Sequence, residues 1–152
     1  MEQGSNCAIL PALAGSGSIC LIIISPYHSI CANRITNIVG ISVVLTGIAF
    51  YIWVFRHNGI GNFNGIAKVK SNGQLITSGP YRYVRHPMYS ALLTTMVGCC
   101  IGYCDIHKFA ALSALIIVLA MKISIEEKLL VKAFPEYSEY RLCTKYLIPL
   151  VI

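Results

Sequence analysis

Residues 35–55 form a run of 21 with no charged side chain. At about 1.5 Å per residue, a helix of that length covers the ~30 Å hydrocarbon core of a bilayer. Three further apolar blocks, at about 8–24, 88–103 and 109–125, are separated by charged segments. The chain is 56% hydrophobic and 12% charged, whereas a soluble domain carries about 25% charged residues. These features predict one all-α domain over residues 1–152. It is a multi-pass membrane helical bundle of about four transmembrane helices, with a cytoplasmic loop at 56–87 and a C-terminal helical arm at 126–152.

The basic residues set the expected orientation. The chain has 12 Lys and Arg against 6 Asp and Glu, a net charge of +6. In a soluble protein such a balance would suggest nucleic acid. Here the cations cluster at the ends of apolar blocks, so an anionic membrane surface accounts for them and nucleic acid does not. Arg56, Lys68, Lys70, Arg82 and Arg85 follow the second block, and Lys128, Lys132, Arg141 and Lys145 follow the fourth. The other side has only Arg34 and Lys108. This asymmetry puts the long loop and both termini in the cytoplasm. A signal peptide competes for the first block, but no Lys or Arg precedes it, so a retained helix is expected.

Details of the blocks add local expectations. Gly40 and Gly47 lie one heptad apart and mark a packing face. Tyr51 and Trp53 fall where an aromatic belt sits, with Arg56 just outside. The third and fourth blocks form a helical hairpin that barely crosses, joined by Asp105-Ile-His-Lys108. Helical spacing of Ile125, Leu129, Leu130, Ala133 and Phe134 carries the fourth helix beyond the membrane until Pro135 ends it. A second helical pattern runs over residues 136–146.

Several tempting motifs fail their context. Seven cysteines lie mostly in apolar blocks and form no Cys-x-x-Cys pair. Cys104-Asp-Ile-His107 reads as a polar turn, so no metal is expected. Gly59, Gly61 and Gly65 follow a membrane helix and not a strand, which removes a nucleotide-binding loop.

Two polar clusters remain. One is Ser78-Gly-Pro-Tyr-Arg-Tyr-Val-Arg-His-Pro-Met-Tyr89; the other is Lys122-Ile-Ser-Ile-Glu-Glu127. A hairpin brings the start of the third block and the end of the fourth to the same side. His86 and Glu126 are therefore expected to meet. Lys122 and Glu126 share a helical face one turn apart. Each cluster also has a plain reading. The arginines anchor a membrane edge, Pro87 starts a helix, and Glu126, Glu127 and Lys128 form a solvated helix end. A carboxylate pair at a helix C-terminus would also oppose the macrodipole.

The segment Gln74-Leu-Ile-Thr-Ser-Gly-Pro-Tyr-Arg-Tyr-Val-Arg-His-Pro-Met-Tyr89, the short apolar hairpin, Glu126-Glu-Lys-Leu-Leu130 and Phe134-Pro-Glu-Tyr137 closely resemble the isoprenylcysteine carboxyl methyltransferase and phospholipid methyltransferase family. The resemblance implies an integral membrane methyltransferase that uses S-adenosylmethionine on the cytoplasmic side. By position it implies that Gly73, Gln74, Leu75, Ile76, Tyr81, His86, Pro87, Met88, Tyr89 and Glu126 line the cofactor. It gives Lys122, Glu126 and Arg85 catalytic roles. Carboxyl methyltransferases of the family carry arginine where this chain has Lys122, which keeps the charge but loses the bidentate fork.

The implied acceptor is lipophilic and is a carboxylate first. The alternatives are the amine head group of a phospholipid, or a reductase of the sterol reductase type, whose chains share an Arg-His-Pro stretch. A carboxylate needs no strong base, whereas an amine must be neutral to react, and Arg82, Arg85 and Lys122 would lower its pKa. Membrane lipids are the expected surroundings.

Overall fold

The computed structural model describes residues 33–58 and 75–147. The expected first span, Gly73, Gln74 and the last five residues of the arm lie outside them. The described residues form four helices, with one isolated parallel bridge between Val84 and Lys145 and no strand. The helices are α1 (Arg34–Asn58), α2 (Pro87–Tyr103), α3 (Ile106–Ala133) and α4 (Tyr137–Cys143).

Helix α1 opens on a reciprocal cap. Asn33 Oδ1 accepts the Thr36 amide at 2.9 Å, and Thr36 Oγ1 accepts the Asn33 amide at 3.0 Å. Two orphan amides are thereby satisfied. Ser42 and Thr46 donate to the carbonyls of Ile38 and Ser42 at 2.9 Å, so their hydroxyls need no water. Arg56 and His57 occupy the last turn, where cations complement the helix dipole.

Gly40 and Gly47 do form the packing face, and it meets α2. A Cβ on Gly40 would lie 2.5 Å from Gly102 Cα and 2.8 Å from Gly98 O. A Cβ on Gly47 would run into Thr95 Oγ1 and lie 2.8 Å from the Thr95 amide nitrogen. Backbones this close depend on small residues, and close packing is what joins helices in lipid.

Helices α2 and α3 make the expected hairpin, with a tighter turn than the sequence predicts. Only Cys104 and Asp105 separate them. Cys104 adopts the left-handed conformation, φ 46°, and Asp105 caps α3 by accepting the His107 amide at 3.0 Å. The cap starts α3 three residues before the fourth apolar block, so Lys108 lies inside the helix, buried, 3.4 Å from Asp105 Oδ2. Met96 packs against Ala111, Leu115 and Leu119 in the hairpin core.

The expectation that both hairpin helices barely cross is corrected for α3, which has 28 residues. Both α1 and α3 are long and apolar enough to span a bilayer. Their outer faces remain apolar and open, with Ile35 72%, Ile117 62% and Leu45 60% exposed. Hydrocarbon is the solvent that makes such faces inexpensive.

Pro135 ends α3 as expected, and the chain turns into α4. The helical pattern expected over 136–146 is shorter in the structure. After Cys143 the chain becomes extended and pairs with the segment before α2. The amides of Arg85 and His86 donate to the Lys145 and Tyr146 carbonyls at 2.8 and 3.1 Å. The loop expected at 56–87 is likewise interrupted, because α1 continues to Asn58 and Gly79–Arg82 forms a 3₁₀ turn. Gly79, at φ 60°, lets that turn pass under His57, whose Nε2 lies 3.1 Å from Ser78 Oγ.

Candidate active site

Pro87 starts α2 and has no amide to leave unsatisfied at that end. His86 therefore sits at the helix mouth, with its ring buried. The last third of α3 faces it. Nδ1 of His86 lies 3.6 Å from Glu126 Oε2, and Nε2 lies 3.4 Å from Glu127 Oε1. The meeting of His86 with the acidic pair is thus observed. The acidic pair is not at a helix end, however. Helix α3 continues to Ala133, so the pair precedes the final turn, where the macrodipole acts, and no opposition arises.

The two carboxylates have different surroundings. Glu126 is partly open, its side chain 20% exposed. Its Oε1 accepts Tyr89 Oη at 2.7 Å and lies 3.9 Å from Lys122 Nζ. Lys122 also sits over the Tyr89 ring, 5.3 Å from its centroid. The rings of His86 and Tyr89 stack at 5.6 Å and 11°. A carboxylate, an ammonium and two aromatic faces are thus gathered at one half-open place.

Glu127 is buried and anchors other elements. Arg85 Nε donates to its Oε1 at 2.6 Å, and Tyr137 Oη donates to the same oxygen at 3.1 Å. Arg141 Nε stands 3.1 Å from Oε2, at an angle that gives charge attraction without a hydrogen bond. Arg85 also donates to the carbonyls of Arg141, at 3.0 Å, and Thr144. Its guanidinium lies 4.0 Å from the centre of the Tyr146 ring. Burial, and then the adjacent Glu127 carboxylate, push the Tyr137 phenol well above its ordinary value, so it stays a donor.

Of the residues singled out in the sequence, Lys122, Glu126, His86 and Tyr89 come together at the half-open place. Arg85 lies behind them, spent on Glu127 and two carbonyls. Pro87 and Met88 form the first turn of α2. Tyr81 lies on the 3₁₀ turn; burial pushes its phenol up to about 12, helped by Tyr140 and Glu126. Leu75 and Ile76 are half-buried before it. Gly73 and Gln74 fall outside the described residues.

Sequence reasoning missed Glu127, Tyr137, Tyr140 and Arg141 as parts of the site. A signal for Glu127 existed. The buried residues Ala111, Leu115, Leu119 and Ile123 recur every four positions on α3, and the next member of that stripe is Glu127. An acidic residue on an inward stripe requires a buried cation. Among the described residues no group of three or more His, Cys, Asp or Glu could hold a metal ion.

Comparison with known proteins gives three findings. The sequence model of the family described as phospholipid methyltransferase matches residues 35–137. The cobalt-zinc-cadmium resistance protein CzcN of Cupriavidus metallidurans is 35% identical over 75 residues, covering 47% of this chain and 33% of CzcN. The fold is similar to that of the eukaryotic intramembrane Ras methyltransferase ICMT, an isoprenylcysteine carboxyl methyltransferase, with a TM-score of 0.68. That match is 23% identical and covers 91% of this chain and 52% of ICMT. The chain therefore spans a third of one relative and about half of the other.

Proposed function

The chain belongs to the phospholipid methyltransferase family, and from that premise we propose that it is a membrane methyltransferase using S-adenosylmethionine to methylate a lipophilic acceptor. The observation that carries the reading is the junction of His86, Tyr89, Lys122 and Glu126, drawn from two helices onto one half-open place.

The donor set suits this cofactor. Glu126 keeps a partly exposed carboxylate, able to accept from an ammonium or from ribose hydroxyls. Tyr89, backed by the His86 ring and with Lys122 over it, gives the place an aromatic wall. His86 Nδ1 faces Glu126 at 3.6 Å while Nε2 faces Glu127 Oε1 at 3.4 Å, so the ring links the open carboxylate to the buried one. When bound, S-adenosylmethionine supplies a methyl group on an electrophilic sulfonium. Tyr81, His86, Tyr89 and Glu126 would hold it and exclude water. Arg85 acts from behind, by holding Glu127 and the tail, and so is a positioning residue. Transfer then depends on aligning two reactants, which positioning alone accelerates strongly.

The charge balance favours a carboxylate acceptor. Three cations, Arg85, Lys122 and Arg141, face two carboxylates. The cofactor adds a further positive charge. That field draws a carboxylate directly, whereas an amine must first lose the proton that the same field weakens. Lys122, beside Glu126 and over the Tyr89 ring, is the cation at the half-open place that would meet it. The apolar outer faces of α1 and α3 let the acceptor enter from the bilayer. The excess of basic residues beside the site supports a cytoplasmic location for it.

Isothermal calorimetry of the purified full chain in detergent tests the cofactor. Binding of S-adenosylmethionine by wild type and its loss in Glu126→Gln are expected; absence of binding to wild type refutes the proposal. Radiolabelled methyl transferred to a membrane lipid extract then tests the acceptor. Label released by base as volatile methanol marks a carboxyl ester, and label that stays non-volatile after base marks an amine.

A further inference from the structure

Helix α4 bonds to the Tyr81 turn, to Arg85 and to Glu127, although none of its side chains lies at the half-open place. Its residues Tyr137, Tyr140 and Arg141 are spaced i, i+3, i+4 and so share one face. Tyr137 Oη donates to Glu127 on α3 at 3.1 Å. Tyr140 Oη donates to the Tyr81 carbonyl on the 3₁₀ turn at 2.5 Å. Arg141 faces Glu127 with its side chain at 3.1 Å and accepts Arg85 with its carbonyl at 3.0 Å. Directly after α4, the carbonyls of Thr144, Lys145 and Tyr146 take the Arg85 side chain and the Arg85 and His86 amides.

Three otherwise separate pieces are thus tied to one short helix. They are the Tyr81 turn, the His86 corner and the acidic end of α3. We propose that α4 is the positioning element of this site, and that Tyr140 and Arg141 set the spacing between Tyr81 and the His86–Glu126 pair. The inference rests on the proposed cofactor reading. Both residues act through others, Tyr140 through the Tyr81 backbone and Arg141 through Glu127. Their effect therefore falls on cofactor affinity. The acceptor, which meets Lys122, is spared.

The test uses the full chain in detergent with Tyr140→Phe, Arg141→Ala and Arg141→Lys. Calorimetry with S-adenosylmethionine should show affinity falling about 3–10-fold in Tyr140→Phe, which loses the hydrogen bond to the Tyr81 carbonyl. Arg141→Ala should lose about 2–5-fold, because a half-exposed charge that attracts Glu127 without a hydrogen bond is removed. Arg141→Lys should recover most of that loss. The KM for the cofactor should rise in step while the KM for the acceptor stays put. Hydrogen exchange over residues 82–90 should quicken in Arg141→Ala, with exchange in α1 unchanged. If wild type binds the cofactor and the variants bind it equally well, the positioning role is wrong. A uniform rise in exchange, including α1, also overturns it, since α4 would then be a general prop. If wild type binds no cofactor, the underlying reading fails and takes this one with it.

Discussion

The crossing of α1 and α2 can be tested at one atom. In Gly40→Ala the added Cβ falls 2.5 Å from Gly102 Cα and Gly102 N, and 2.8 Å from Gly98 O. All three are backbone atoms, which no rotamer change can move, so the two helices must separate. Overpacking costs about 1–3 kcal/mol, and a backbone obstacle calls for the upper end. Alanine gains back about 1 kcal/mol of helix propensity over glycine. The expected net loss is about 2 kcal/mol. For a chain of this size each kcal/mol lowers Tm by roughly 2–4 °C, so a fall of about 4–8 °C is expected. Gly102→Ala is the internal control, because its Cβ would meet only Gly40 Cα, at an ordinary 3.6 Å. That variant should be neutral or slightly more stable. Thermal unfolding of both variants in one detergent, followed by Trp53 fluorescence, gives the comparison. Equal midpoints, or a larger loss in Gly102→Ala, would refute the reasoning about which helix face approaches which.

Two further outcomes separate the adjacent carboxylates and the phenols. Glu127→Ala leaves buried Arg85 without its partner and should cost about 3–5 kcal/mol, whereas Glu126→Ala, at a partly open position, should cost far less while removing cofactor binding. Denaturant titration beside calorimetry on both variants checks this, and equal destabilisation would contradict the division of roles. Burial, as the first cause in each, raises the Tyr81 and Tyr140 phenols from 10.0 to about 12. Folding binds those protons more tightly, so their contribution is complete below pH 10.0 and is lost as pH rises towards about 12. Unfolding midpoints between those pH values should fall in wild type and fall less in Tyr140→Phe.

Much of the architecture is legible in the residue pattern. An uncharged 21-residue run has few stable forms in lipid, and Gly40 and Gly47 mark the packing face because only small residues admit a second backbone. Pro135 and Pro87 mark helix limits through their missing amides. The nearness of His86 and Glu126 follows from a hairpin whose two ends must return to one side. The start of α3 is misplaced by the pattern because its cap is formed by Asp105, a residue that reads equally well as part of a polar turn.

Apolar length and chain order are enough for the helical class, the hairpin and the two motifs that meet across it. Only the assembled chain reveals where Arg85 spends its charge and what α4 holds. Neighbouring helical residues diverge by about 100°, so a one-position difference separates a buried anchor from an open carboxylate. Arg141 and Glu127 are brought together by the turn at Pro135 and the pairing of the tail with the His86 corner. No local pattern encodes contacts of that range.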